Sequence, residues 1–126
     1  MFDIKNPKTL KWFEFSEDES YLLRPLSEKE LNEFVEVQSK YEELTESKGN
    51  QREIEVNYNR LLMMIIGCVE EWQGITAGNK KIECNEENKK IVFNNLGNDS
   101  AIRLVFVMKI VIDVNNFFDF NKHLKN

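Results

Sequence analysis

The chain has 126 residues and a formal charge of -5 at pH 7; 41% of its residues are hydrophobic and 31% are charged. That length suits one domain around one core, and that balance argues against a disordered or membrane-embedded protein. Residues 1–60 hold 9 Lys and Arg against 14 Asp and Glu, while residues 61–126 hold 8 against 8, so an acidic chain without a basic stretch is a poor match for phosphate backbones, and nucleic-acid binding is not expected.

The opening Met1-Phe2-Asp3-Ile4-Lys5 lacks the apolar core of a signal peptide. The apolar run at 61–66 is too short to cross a bilayer. Two cysteines, Cys68 and Cys84, cannot build a disulfide framework, so a reducing, cytoplasmic home is expected. The expected architecture is a single domain over 1–126: a β-hairpin at 10–26, a helical part at 27–120 and a short C-terminal tail. Its class is mainly α, with the hairpin packed on a bundle of about four helices.

Lys11-Trp12-Phe13-Glu14-Phe15-Ser16 and Ser20-Tyr21-Leu22-Leu23-Arg24 read as the hairpin strands, joined by the charged Glu17-Asp18-Glu19 and ended by Pro25. A lone hairpin is marginal in water, so Trp12 or Phe13 is expected to rest on helices. Ser27 and Glu30 form a capping box that opens a helix reaching about Leu44. Its apolar residues are Leu31, Phe34, Val35, Tyr41 and Leu44, and Ser47-Lys48-Gly49-Asn50 breaks it. A second helix is expected from about Arg52 to Trp72, with a stripe of Ile54, Tyr58, Leu61, Leu62, Ile65, Val69 and Trp72. Gly74 stops it, Gly78-Asn79 turns, and Asn85 caps a short helix carrying Ile91, Val92, Phe93 and Leu96. The segment 99–120 is ambiguous: its length and its Asp99 or Ser100 cap favour a helix, its many β-branched residues a strand, and helix is the preferred reading.

No catalytic, cofactor or metal site announces itself. His123 is the lone histidine and has no second imidazole or nucleophile motif beside it. Cys68 and Cys84 lack CxxC spacing and read as buried thiols. Glu70-Glu71 and Glu86-Glu87 point in different directions on a helix and make no acid/base dyad. Neither GxGxxG nor GxxxxGK[ST] occurs, so no phosphate cradle is visible. The remaining signal is apolar surplus. Met63, Met64, Phe106, Met108, Phe117 and Phe118 are the candidate residues for covering by a partner or by a second copy, and a well-filled monomer core explains them equally well.

Trp72-Gln73-Gly74-Ile75, followed after a polar loop by Ile82-Glu83-Cys84-Asn85-Glu86-Glu87-Asn88, resembles a motif of phage and prophage tail assembly chaperones. In that family a Trp-x-Gly-Ile/Val turn precedes a Pro/Ile-x-Cys-Thr-x-Glu-Asn-like helix cap. Trp72, Gly74, Ile75, Cys84, Glu87 and Asn88 match, and Asn85 stands where threonine is usual, an equally good N-cap. The order of elements agrees over 11–96; the specific motif covers 72–88. The resemblance implies a non-enzymatic protein of the host cytoplasm that binds and solubilises the tape measure protein and helps to recruit tail tube subunits. Trp72, Gly74, Ile75, Cys84, Asn85 and Asn88 would be structural residues of the turn. The alternative is a structural virion component, a tail terminator or connector subunit that self-assembles.

Overall fold

The computed structural model describes residues 10–94, 98–113 and 117. In chain order it has β1 (Lys11–Glu14), β2 (Ser20–Leu23), α1 (Glu28–Glu46), α2 (Gln51–Ile66), β3 (Val69–Gln73), β4 (Thr76–Ala77), β5 (Lys80–Lys81), α3 (Glu86–Asn94) and α4 (Asn98–Val111). The chain is mostly helical, with a three-stranded antiparallel sheet ordered β1-β2-β3 and a small β4-β5 hairpin.

The second helix ends at Ile66, not Trp72. Gly67 caps it, and Val69–Gln73 turns back as a strand along the free edge of β2. Leu22 pairs with Glu71 and Leu23 with Val69, so Glu70 is an extra residue in a β-bulge. The bulge has a packing consequence. In a regular strand Val69 and Trp72 would point to opposite faces; with one residue bulged out, both point inward. Both are buried, while Glu70 and Glu71 are exposed.

The inner face of the sheet is therefore Phe13, Tyr21, Leu23, Val69 and Trp72. It packs on Leu62, Ile65 and Ile66 of α2, Phe93 of α3, and Val107, Ile110 and Val111 of α4. Tyr21 meets Phe93 with ring centroids 5.4 Å apart, and Phe13 meets Phe117 edge-on at 5.0 Å. Phe13 thus anchors the hairpin, and Trp12 on the opposite face is 41% exposed.

The ambiguous C-terminal segment is helical over Asn98–Val111. Its last carbonyl, which no helical amide can reach, accepts from the Leu26 N–H at 2.8 Å and ties the end of α4 to the start of α1. The capping box of α1 forms as its sequence predicts: Ser27 Oγ accepts from the Glu30 amide, and the Glu30 carboxylate accepts from the Ser27 amide. Apolar spacing places Val35 on the inner stripe of α1, but Phe34, Val37 and Leu44 are the residues buried, and Val35 is half exposed. The polar turn after α1 closes with Lys48, not Gly49, in the left-handed region at φ 55°.

Candidate functional site

The residues that carry the family resemblance fold into one local unit. Trp72 lies near the end of β3 with its ring buried, and its Nε1–H donates to the Ile82 carbonyl at 2.8 Å. The Ile82 amide in turn donates to the Ile75 carbonyl at 3.0 Å, so the strand end and the returning arm are clamped together around the β4-β5 hairpin. Gly74 takes φ 86° where the chain passes the β1–β2 turn, a conformation that glycine adopts without strain. Asn85 Oδ1 accepts from the Asn88 amide and caps α3; Asn88 Nδ2 reaches back to the Glu83 carbonyl, both at 2.8 Å. Cys84 is half-buried against the core. Gly74 stops a strand, where the apolar spacing before it suggests a helix.

Neither thiol is reactive in this setting. Burial pushes Cys68 up to about 12 and Cys84 up to about 11, so both are protonated at neutral pH. Among the described residues no cluster of His, Cys, Asp and Glu is placed to hold a metal ion, and no helix is long and apolar enough to cross a membrane.

A second unit fixes the hairpin tip to α4. Glu19 is buried, and Arg103 grips its carboxylate with both arms, Nε to Oε2 at 2.6 Å and Nη2 to Oε1 at 2.9 Å. The Tyr21 hydroxyl donates to the same carboxylate. Burial raises the Tyr21 phenol above its ordinary value, and the Glu19 partner raises Arg103 above its own. The Arg103 guanidinium also lies over the Phe15 ring, 5.6 Å from its centroid.

The open apolar surface lies elsewhere, in a cleft of about 210 Å³ between α1, α2 and α4. Phe34 and Tyr41 of α1, Leu61 and Ile65 of α2, and Leu104 and Met108 of α4 form it, with Tyr58 at one end. Of the six candidate partner-binding residues, Met108 lies in this cleft. Met63 and Met64 are half-buried and pack against the core. Phe106 is half-buried, edge-on to Phe15 at 5.2 Å. Phe117 is fully buried against Phe13 and has no surface to offer. Phe118, like Leu96 and His123, lies outside the described residues. Sequence reasoning does not single out Phe34, Tyr41, Tyr58, Leu61 and Leu104 as lining residues. The aromatic spacing of α1 and α2 hints at them, but only the approach of α4 makes them a cleft.

Comparison of the chain with protein-family models, with curated proteins and with solved structures gives no match.

Proposed function

We propose that this chain is a protein-binding assembly factor of the tail assembly chaperone type, which holds apolar helical segments of a phage tape measure protein in solution and presents them to tail tube subunits. One observation carries the reading: Trp72 and Ile75 are both hydrogen-bonded to Ile82, and the chain runs directly from there into the Glu83, Asn85 and Asn88 bonds that cap α3. Gly74, at φ 86°, lets the chain leave β3 between the two residues that meet Ile82.

The rest of the molecule suits that work. The α1–α2–α4 cleft is apolar and open, the chain's net charge of -5 helps to keep a carrier in solution, and helix-in-groove binding needs no chemistry beyond burial. The reading places the protein in the host cytoplasm and assigns it no catalytic step. The test is co-expression with the tape measure protein of the same phage. The expected result is a larger soluble fraction of that protein and its co-purification with this chain; an unchanged soluble fraction overturns the reading.

A further inference from the structure

α1 and α4 each pack on α2 and leave a trough between them. Its floor is Leu61 and Ile65, and its walls are Phe34 and Tyr41 on one side and Leu104 and Met108 on the other. At about 210 Å³ it falls below the ~300 Å³ at which small-ligand pockets begin. Such a seat takes projecting side chains of a helix rather than a whole small molecule. On the α4 side Ala101, Leu104, Val105 and Met108 share one face at helical spacing, and Val105 is 42% exposed.

The charge on the α1 side is mostly acidic, and α4 adds Lys109 next to Met108. α1 carries seven glutamates and two lysines. Val35, Gln38, Glu42 and Glu46 follow one another along its shoulder at helical spacing, and Gln38 and Glu42 stand in the trough wall. Glu42 and Glu46 have no ion-pair partner among the described residues. A second copy docked with α1 upon α1 would set this acidic shoulder against itself, which charge opposes.

We propose that the α1–α2–α4 trough seats a cationic amphipathic helix of the partner protein, its apolar side chains on Leu61, Ile65, Leu104 and Met108 and its lysines or arginines beside Glu42 and Glu46. The inference rests on the protein-binding reading above and adds where the partner sits and which charge it carries. It also gives a role to the exposed Val35 and Val105, which flank the trough as apolar lips.

The probe is a fluorescein-labelled peptide with leucines at i, i+3, i+4 and i+7 and lysines on the remaining face, titrated with the full chain and followed by anisotropy. One companion peptide carries glutamates in place of the lysines, and another has the lysine peptide's composition in scrambled order. The lysine peptide binds at least about tenfold tighter than either companion. Glu42→Lys with Glu46→Lys weakens it about tenfold or more, and Val105→Glu, at an exposed position, does the same with the thermal midpoint checked beside wild type. Glu86→Lys with Glu87→Lys makes the same charge change on α3 and leaves binding within about twofold. Equal binding of the scrambled peptide, or equal loss from both charge reversals, reduces the effect to overall charge and overturns the proposal. A dimer that Val105→Glu converts to monomer assigns the trough to a second copy and overturns it too. If the shoulder-reversed chain solubilises the tape measure protein as well as wild type does, the trough assignment falls and the assembly reading stands. If wild type gives no solubility gain yet binds the lysine peptide in the trough, the reverse holds.

Discussion

Gly74 is pressed against the carbonyl of Asp18: a side chain at 74 would begin 2.8 Å from that carbonyl carbon and closer still to its oxygen. The turn after β3 and the turn between β1 and β2 are therefore in backbone contact, and the glycine of the Trp-x-Gly-Ile motif is set by this approach as well as by its φ of 86°. Gly74→Ala is expected to destabilise the protein by at least about 2 kcal/mol, because two main-chain segments must separate. Gly78→Ala, at φ 65° with open space around it, costs only about 1 kcal/mol. Urea midpoints of the two variants, compared with wild type, measure the difference.

Lys48 occupies the left-handed position just past α1, where the Gly49 amide bonds back to the Leu44 carbonyl at 2.8 Å. A Cβ is unfavourable there and glycine is the usual occupant. Lys48→Gly should raise stability by about 0.5–1 kcal/mol, read as a higher thermal midpoint.

Arg103→Met leaves the Glu19 carboxylate buried with only Tyr21 to satisfy it, and a loss of about 3–5 kcal/mol is expected. Glu19→Leu combined with Arg103→Met removes both charges and recovers part of that loss, the rest being the Tyr21 hydroxyl left without its acceptor. A double-mutant cycle by chemical denaturation gives the coupling; additive losses from the two single variants would show that the pair is not a unit.

Glu30 accepts from both arms of Arg24 at 2.9 and 3.1 Å as well as from the Ser27 amide. The Arg24 guanidinium holds its carboxyl down at about 2, against an ordinary value of 4.5. A carboxyl whose folded value is depressed stabilises the fold above its unfolded value, and that contribution drains away as pH falls from about 4.5 towards 2. Solvent screening keeps the amount below about 1 kcal/mol for so open a pair. Glu30→Gln should flatten the acid side of the stability curve in that window and leave its slope near neutrality unchanged, as followed by circular dichroism.

Trp72→Phe keeps most of the buried ring but removes the donor to Ile82. The stranded carbonyl costs about 1–3 kcal/mol. Emission offers an independent check, since Trp12→Phe leaves only the buried Trp72 and should shift the spectrum to the blue, while Trp72→Phe leaves the exposed Trp12 and should shift it to the red.

Features set by near neighbours are legible in the sequence. The Ser27–Glu30 box, the Asn85 cap and the two hairpin strands each depend on residues within a few positions, and each forms. β3 reads as helix for a physical reason: Val69 and Trp72 are three apart, the helical interval, and the bulge at Glu70 lets a strand bury both. Val35 and Val37 look alike in the sequence, yet the folded chain buries Val37 and leaves Val35 half exposed. The Glu19–Arg103 pair spans 84 positions and the trough joins α1 to α4. No periodicity within one segment encodes either of these.

The strand order β1-β2-β3 bears on synthesis at the ribosome. The hairpin is made early, yet the strand that covers its second edge follows only after α1 and α2, and Phe13 waits longer still for Phe117. A nascent chain halted just past α2 therefore has the two helices but exposes Tyr21, Leu23 and an unpaired strand edge, and cleavage by added protease within the hairpin should persist at least until residue 73 has emerged.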